Sequence, residues 1–412
     1  MPISFEPTPS TLAAREHYRR IALEHMRPLS RVYDEREHDL PTEWVQWWWD
    51  EGRFVSPSRG APNDPGDGMI QVCVQAEELC WGDAALYLRM PTPALGGSAV
   101  AAAGTPEQRE RFLTPFRQPG GHPIWGAMAI TESGAGSDAA AIQTTARLDE
   151  RTGEWVLDGT KIFCTAGEGA SQVEGGFVVV WATVDRSAGR AGIKSFVVPA
   201  GTPGMKFGGC EKKLGIRASD TATLVFEGCR VPRENLLGSA EVKKRDAAQT
   251  GDKGFKGAMA TFDASRPIVA AMAVGVGRAS LDTTVEELAT RGVRVRWDAG
   301  LHAQSAVERD LVEMHAELQA ARLLTWRAAR MLSLGKPNNL EASMAKAKAG
   351  LAVTRITQKA VELLGPPGYS RQLLVEKWMR DAKINDIYEG TQQINQLIVA
   401  RRILDYSSSV LR

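Results

Sequence analysis

The sequence predicts an α+β multidomain protein with an N-terminal all-α domain over residues 1–123, a middle antiparallel β domain over 124–240 and a C-terminal helical bundle domain over 241–412. Three observations lead to this prediction. The chain has 412 residues, more than a single hydrophobic core usually serves. Its hydrophobic period changes from that of helices to that of strands near Pro123. The helical period returns after a charged, glycine-containing stretch at 239–254, which we expect to be an exposed linker.

The N-terminal part is predicted to be helical from residue 11 to about residue 116, with turn residues such as Pro41 and Gly52 between the helices. Three tryptophans share one helical face: Trp44, Trp47 and Trp48. We interpret them as core residues, because a surface that stacks nucleic-acid bases has basic residues interleaved with its aromatic rings.

A helix that enters residues 86–93 is predicted to kink or break at Pro91 and Pro93. Arg89 lies there among apolar neighbours. The favoured interpretation is a surface arginine that extends its guanidinium into water. The alternative is that Arg89 recognises the polar end of a substrate.

The middle part contains short runs rich in β-branched and aromatic residues, and these runs predict strands. Among them are residues 161–165 and 175–184. The C-terminal part contains three long amphipathic patterns, which are typical of a helical bundle. They cover residues 255–288, 305–334 and 340–364, and the turn at 365–368 ends the third.

Composition excludes several classes of function. The 50 Lys and Arg residues are nearly balanced by 49 Asp and Glu residues. This balance argues against nucleic-acid binding as the main role, because such binding depends on a clustered basic surface. The six histidines never fall three or four residues apart, so no catalytic metal is expected. An odd set of five cysteines without a CxxC pair favours a reducing, cytoplasmic setting. No leader pattern or membrane-length apolar run was identified, so no membrane association is expected.

One carboxylate near the end of the chain is a candidate catalytic group. A helical pattern runs into Gly390, and a new helix is predicted to begin with Thr391 as its N-cap. Glu389 would therefore lie at a joint between two helices, where a backbone amide is not used by the helix itself. Taken alone, such a glutamate is more often a solvated residue near a helix N-terminus.

A second candidate is the small-residue loop of residues 134–138, which follows a predicted strand. Its glycines would let a flat ligand approach the backbone closely. It is neither a Walker loop nor a Rossmann fingerprint, because neither the lysine nor the helix of those motifs follows. A structural turn is the alternative for this loop. The glycines of residues 275–280 lie within a helical pattern and are better explained by helix packing.

Together, these motifs resemble the acyl-CoA dehydrogenases in their order and spacing, over nearly the whole chain from about Trp44 onward. The segments that carry the resemblance are residues 129–138, 158–168, 213–238, 254–275 and 363–404. The resemblance implies a helical domain, a β domain and a C-terminal four-helix bundle. It also implies an FAD-dependent enzyme of fatty acid metabolism, and β-oxidation in particular, that removes two hydrogens from the α and β carbons of an acyl-CoA thioester.

The resemblance assigns cofactor-binding residues. Ile130, Thr131, Gly136 and Ser137 match the strand end and loop that hold the flavin, and Phe163 and Thr165 match an aromatic residue and a threonine beside it. Thr391 and Gln393 match further residues on FAD, and Glu362, Leu363 and Gly365 match a segment that reaches FAD from a neighbouring subunit. The family more often has Trp at the position of Phe163 and Gln at that of Glu362.

A further match concerns an arginine that, in the family, touches the FAD pyrophosphate of a neighbouring subunit. The family's Arg-x-x-Phe-Gly pattern is replaced in residues 291–300. Arg294, with Trp297, is the best match, and Arg291 and Arg296 are competitors. A local insertion would explain the altered spacing.

The same resemblance assigns the substrate site. Glu389 matches the catalytic base, Gly390 fixes the turn beside it, and Asp263 and Arg266 match residues near the thioester. Ser137 is also expected at the substrate. In the family, the backbone amide of the base and a ribityl hydroxyl of FAD stabilise the charge on the thioester oxygen. Desolvation should raise the pKa of the base, while the helix N-terminus at Thr391 should lower it.

Two other functions are possible on this fold. A flavin-dependent oxidase or oxygenase is disfavoured by the presence of Glu389, Asp263 and Arg266, and a non-catalytic partner subunit is disfavoured by the same base and an intact flavin loop. Some family members carry the base on the helix of Asp263, where this chain has Ala264 and Ser265, neither of which can serve.

The resemblance leaves the acyl group open and suggests the partners. Tyr87, Arg89 and the two prolines predict a short, branched or functionalised acyl chain. The expected electron acceptor is an electron-transfer flavoprotein, and the expected assembly is a homotetramer or homodimer.

Overall fold

The structure is a computed structural model that describes residues 6–54, 67–242 and 253–406. Its N-terminal part is helical, as predicted. The helices are α1 (Pro9–Ile21), α2 (Arg27–Glu35), α3 (Thr42–Asp50), α4 (Gly68–Leu88), α5 (Ala94–Ala103) and α6 (Pro106–Leu113), with a π-helical stretch, Ala22–Met26, joining the first two. The predicted break at the two prolines is confirmed, because α4 ends before Pro91 and α5 begins after Pro93.

Local sequence signals explain several of these helix ends. Thr105 caps α6 in a capping box with Gln108, and a proline occupies the first position of that helix. Trp44 and Trp48 are buried, which confirms their interpretation as core residues. Asp83 has non-helical backbone angles, so α4 is kinked there.

The middle part forms one eight-stranded sheet. Its strands are β1 (Gly126–Ala129), β2 (Thr145–Asp149), β3 (Glu154–Thr165), β4 (Phe177–Thr183), β5 (Ile193–Pro199), β6 (Met205–Cys210), β7 (Thr221–Pro232) and β8 (Leu236–Leu237), and the short helix α7 (Gly167–Gln172) follows β3. The strand order is β6-β7-β3-β2-β4-β5-β8, and β1 pairs with β4. Every residue of β4 is buried, because its two faces lie in two different hydrophobic clusters.

The prediction of antiparallel pairing holds for most of this sheet and is wrong at two places. β4 pairs in parallel with both β1 and β2, whereas the other pairs are antiparallel. Connections longer than a hairpin separate these strands along the chain and permit the parallel pairing. Alternation within each strand does not reveal the direction of its neighbour, so the sequence pattern could not predict it.

The C-terminal part is a bundle built on three long helices, as predicted. The helices are α8 (Lys253–Thr290), α9 (Ala306–Ser333), α10 (Asn339–Leu364), α11 (Pro366–Tyr369), α12 (Val375–Ala382) and α13 (Gln392–Ile403). α8, α9 and α10 pack against one another, and α13 packs on α10. Gly365, with a φ of 64°, ends α10. The predicted linker at 239–254 lies mostly outside the described residues.

One segment of α8 is long and apolar enough to cross a membrane. This segment, Thr261–Thr290, has 78% of its most apolar window buried inside the structure. A core helix of a globular protein passes the same test of length and composition. Its neighbours include α4, α9 and α10.

Buried charges join the N-terminal helices to the bundle and to the sheet. Glu77 on α4 pairs with Arg278 at 2.6 Å and Arg322 at 2.7 Å. Arg89 is only 5% exposed, so its predicted place at the surface is wrong. Its guanidinium pairs with Asp220 at 2.9 Å and Glu168 at 2.8 Å. These pairs occupy Arg89 within the protein, so it is not available to a substrate either.

Candidate active site

A large cavity of about 2640 Å³ lies where the helices of the N-terminal part, the sheet and the bundle meet. Pockets for one drug-sized ligand are usually about 300–1,000 Å³, so this cavity has room for more than one such molecule. Ten of the predicted site residues line it: Ile130, Thr131, Gly136, Ser137, Phe163, Thr165, Arg266, Glu389, Gly390 and Thr391. Eight lysines and arginines line it against four aspartates and glutamates, which favours an anionic ligand.

Glu389 lies at a sharp joint between two helical segments. A 3-10 turn (Lys383–Asp386) precedes it, and Thr391 caps α13 by accepting a hydrogen bond from the Ile394 amide at 3.3 Å, which confirms the predicted N-cap. Glu389 has a φ of 53° and Gly390 a φ of 91°. The left-handed conformation is uncommon for a residue with a Cβ and costs of order 1–3 kcal/mol. Within the described chain, the backbone N–H of Glu389 donates to no acceptor.

Two residues of α8 hold Glu389 from one side. The Ser265 hydroxyl donates to Oε2 of Glu389 at 2.5 Å, and Nε of Arg266 lies 3.5 Å from its backbone oxygen. Asp263 does not line the cavity. It instead pairs with Arg266 at 2.8 Å and so fixes the guanidinium. Sequence reasoning treated Ser265 only as a residue that cannot be the base and missed this contact.

The carboxyl of Glu389 has an unusual acidity. Its side chain is partly open to the cavity, but protein atoms surround it on the other sides. Burial raises its pKa from the ordinary 4.5 to about 7, because the charged form loses hydration. The hydrogen bond from Ser265 and the charges of Arg266 and Lys346 act in the opposite direction. Near neutral pH, the group can therefore both hold and release a proton.

Lys346 on α10 is a second residue that sequence reasoning missed. Its Nζ donates to the backbone oxygen of Gly390 at 2.7 Å, and the side chain is only 2% exposed. A signal was present in the sequence, because Lys346 interrupts an alanine stripe on the buried face of α10. That stripe contains Ala342, Ala345 and Ala349.

The small-residue loop lines the same cavity as Glu389 and has the form of a cradle. Residues 132 and 135 exchange backbone hydrogen bonds, and the Glu132 carboxylate ties the loop to Lys161 at 2.7 Å and to the Thr144 hydroxyl at 2.6 Å. A Cβ added to Gly136 would meet no atom within 4 Å. The backbone there is bare toward the cavity, so a flat ligand can lie directly against it.

An exposed aromatic ring lies beside this cradle. Phe163 is 58% exposed although it belongs to a central strand of the sheet. The pairing of β3 with β7 shifts between Lys161 and Cys164, and Phe163 has a φ of 57°. This irregularity turns the ring out of the sheet into the cavity, where it can contact a planar ring system. The cradle and the ring fit an isoalloxazine.

The remaining predicted cofactor residues lie away from the cavity. Gln393 and Glu362 are exposed, with Glu362 paired to Lys359 at 2.9 Å, and Leu363 and Gly365 are partly buried at the end of α10. The predicted role of Glu362, Leu363 and Gly365 involves a second copy of the chain. These three assignments and that of Gln393 stay predictions.

The competing arginines differ in their contacts. Arg291 donates to the backbone oxygen of Leu364 at 3.1 Å, and Arg296 pairs with Glu308 at 2.7 Å. Arg294 is exposed and makes no hydrogen bond or ion pair within the described part of the chain. Of the three, Arg294 alone has its guanidinium free for a ligand, so it remains the best candidate.

Three packed regions surround a cavity that contains a carboxyl group with a raised pKa, a bare backbone cradle and an exposed aromatic ring. This arrangement fits the class of flavin-dependent enzymes. Family models place the chain within this class. The models described as acyl-CoA dehydrogenase N-terminal, middle and C-terminal domains match residues 8–118, 127–229 and 252–404.

Individual proteins agree with these matches. The chain is 37% identical over 391 residues to the mitochondrial short-chain specific acyl-CoA dehydrogenase of Rattus norvegicus, an alignment that covers 95% of this chain and 89% of that one. It resembles the solved butyryl-CoA dehydrogenase of Megasphaera elsdenii with a TM-score of 0.81 and 31% identity, over 98% of this chain and 100% of that one. A chain in a structure described as the electron transferring flavoprotein of Acidaminococcus fermentans gives a TM-score of 0.83 at 31% identity, with coverage of 98% and 100%.

The chain therefore belongs to the acyl-CoA dehydrogenase family, whose members are FAD-dependent oxidoreductases. The predictions of family, fold class, enzyme class and cofactor are confirmed.

Proposed function

We propose that this protein catalyses the α,β-dehydrogenation of a short acyl-CoA thioester to the trans-2-enoyl-CoA, with Glu389 as the general base. One observation carries the proposal. A carboxyl group of pKa about 7 lies in the cavity beside its own unused backbone N–H, and the flavin cradle lines the same cavity. A base works best when its pKa lies near the working pH, and this carboxyl meets that condition.

Glu389 takes the α proton of the thioester. Its Oε2 is fixed by Ser265, which leaves the other carboxylate oxygen free to accept the proton. Bound FAD supplies the hydride acceptor for the β carbon, a chemistry that no side chain offers. The left-handed backbone at Glu389 and the turn at Gly390 aim the carboxylate at the cavity.

Loss of the α proton leaves negative charge on the thioester oxygen, and the same joint provides a donor for it. The backbone N–H of Glu389 is available, and such preorganised donors are a large part of enzymatic rate enhancement. Arg266 adds positive charge to the site. It is 3% exposed and held by Asp263, so its position needs no reorganisation during the reaction.

Several features support a short acyl chain. Tyr87, Leu88, Met90 and Pro91 are among the residues that line the cavity. The rat relative is named short-chain specific, and the Megasphaera neighbour is named a butyryl-CoA dehydrogenase. Arg89 does not contribute to this pocket, since its side chain pairs with Asp220 within the protein.

The electron acceptor that we propose is an electron-transfer flavoprotein. The structural neighbour from Acidaminococcus is described by that partner's name. We further propose a cytoplasmic homotetramer or homodimer in which Arg294, Glu362, Leu363 and Gly365 reach the FAD of a neighbouring subunit.

An anaerobic experiment tests the reaction and the chain length together. Purified yellow enzyme is mixed with straight-chain and branched acyl-CoAs of increasing length, and flavin bleaching is followed. Short chains should bleach the flavin fastest, and selective turnover of palmitoyl-CoA would contradict the proposed pocket. Glu389→Gln should keep its FAD but lose bleaching by all substrates. Near-normal bleaching by this variant would exclude Glu389 as the base. In a separate measurement on the wild-type enzyme, fast reoxidation of the reduced flavin by oxygen would indicate an oxidase instead of a dehydrogenase.

A further inference from the structure

Lys346 is a buried ammonium group placed directly behind the proposed base. Its Nζ lies 2.7 Å from the backbone oxygen of Gly390, the residue that follows Glu389. Asn395 donates to the same oxygen at 2.8 Å and to that of Thr391 at 3.1 Å. Two side chains from two different helices therefore hold the turn that carries the base.

Lys346 differs in its contacts from two other buried lysines, Lys161 and Lys377. Lys161 pairs with Glu132 at 2.7 Å, and Lys377 pairs with Asp83 at 2.8 Å. Lys346 has no carboxylate within ion-pair distance in the described residues, although it is 2% exposed. A buried ammonium without a counter-ion costs several kcal/mol. Stability of the fold alone does not account for this side chain.

The charged groups around the base act on one another. Arg266 and the hydroxyl of Ser265 face Glu389 from α8, Lys346 faces it from α10, and Asp386 and Tyr388 belong to its own segment. The positive charge of Lys346 stabilises the ionised carboxylate of Glu389 and lowers its pKa. Burial in turn lowers the pKa of Lys346 to about 8.

We infer that Lys346 is a positioning residue for the reaction, with two effects on Glu389. Its hydrogen bond to the Gly390 carbonyl holds Glu389 in its left-handed turn, and its positive charge favours the ionised form of the Glu389 carboxylate. This inference rests on the proposed function of Glu389. The two effects separate chemically, because a glutamine can donate the hydrogen bond but carries no charge.

A set of variants tests this role. Lys346→Gln keeps a donor for the Gly390 oxygen but removes the charge. Lys346→Met removes both the donor and the charge, and Lys346→Arg keeps both. Lys348→Met is the matched control, since Lys348 lies on the same helix and pairs with Glu317 at 2.5 Å, away from the base. All variants are studied as FAD-loaded enzyme, and their FAD content and thermal midpoints are recorded.

Two readouts are compared over a range of pH. The first readout is the infrared band of the protonated Glu389 carboxyl in difference spectra, which is assigned by its loss in Glu389→Gln. The second is the rate of flavin bleaching after anaerobic mixing with butyryl-CoA. Lys346→Gln should raise the pKa of Glu389 by about one unit and slow bleaching about tenfold below that pKa, with recovery at high pH. Lys346→Met should bleach slowly at every pH, and Lys346→Arg should keep the pH profile of the wild-type enzyme.

An unchanged Glu389 band in both Lys346→Gln and Lys346→Met would overturn the inference, and so would an equal shift in Lys348→Met. If Lys346→Met fails to hold FAD, Lys346→Gln and Lys346→Arg still decide the question. A band that shifts while the bleaching rate does not would support the effect of Lys346 on Glu389 and count instead against Glu389 as the base.

Discussion

The hydroxyl of Ser265 donates to Oε2 of Glu389 over 2.5 Å and so joins α8 to the joint that precedes α13. A hydroxyl that donates to a carboxylate favours its ionised form. In this site it partly offsets the effect of burial on the pKa of Glu389. The pKa of the proposed base therefore depends on a neighbouring hydroxyl that is not itself proposed to take the proton.

Replacement of this serine should weaken the base at low pH. Ser265→Ala should raise the pKa of Glu389 by about one unit, since a hydrogen bond to a charged group contributes about 1.5–3 kcal/mol. The rate of flavin bleaching should fall about tenfold below that pKa and recover at high pH. Ser98→Ala is a suitable control, because Ser98 also lines the cavity but bonds to the backbone of Ala94. Identical pH profiles for wild type and Ser265→Ala would contradict the role of the contact.

The wild-type enzyme should show a rising limb in the pH dependence of kcat/KM with a midpoint at about 7. Only the ionised carboxylate of Glu389 can take the α proton, and its pKa is raised to about 7 by burial. Steady-state rates with one short acyl-CoA across the pH range would measure this. A midpoint near the ordinary value of a glutamate would mean that the carboxyl is hydrated in the working enzyme.

The same shift should appear in the stability of the protein, independently of activity. A carboxyl whose folded pKa exceeds its unfolded pKa stabilises the fold below pH 4.5, and this contribution is lost as the pH rises to about 7. The difference between the folded and unfolded pKa values corresponds to about 3 kcal/mol in the free energy of unfolding. Glu389→Gln should therefore gain stability relative to wild type as the pH rises through this window. Thermal midpoints of the FAD-loaded enzymes measure it, and Glu227→Gln at the surface should show no such trend.

The buried pair between Arg89 and Asp220 should be important for stability. Asp220 is 1% exposed and also accepts from the Glu168 amide at 2.9 Å. Asp220→Asn leaves the arginine charge buried with one partner fewer, and breaking a buried pair costs about 3–5 kcal/mol. Denaturant unfolding should show this loss. Glu227→Gln, which breaks the exposed pair with Lys206, should have little effect. Equal effects of the two changes would show that Arg89 finds water or another partner.

Prediction from sequence succeeded where the signal was local. Changes of hydrophobic period located the helices and strands, and the sequence around Thr391 predicted a capped helix after Glu389. Contacts between distant segments were not predictable. Lys346 lies 44 residues before Gly390 in the chain, and Arg89, which follows α4, pairs with Asp220, which precedes the distant strand β7. Both side chains are buried by tertiary packing, which a helical pattern does not encode.

The positive φ at Phe163 and the parallel strand pairs were missed for a related reason. β-branched and aromatic residues indicate a strand but not its irregularities or its neighbours. The resemblance to a family supplied Phe163 as a cofactor residue. The shift in pairing between β3 and β7 supplies the physical reason that its ring is exposed.

The three arginines of residues 291–296 provide a test of the cofactor interface. Arg296 is tied to Glu308 and to the backbone of Ala303, whereas Arg294 is exposed and has no partner within the described chain. Arg294→Gln should weaken FAD binding on the order of ten- to a hundredfold, the loss expected for one charged hydrogen bond to a phosphate. Arg296→Gln should instead lower the thermal midpoint and keep the cofactor. Equilibrium dialysis of FAD at several protein concentrations measures both variants. Loss of FAD by Arg296→Gln, with full retention by Arg294→Gln, would reverse the assignment, because it would require Arg296 to leave Glu308 for the cofactor.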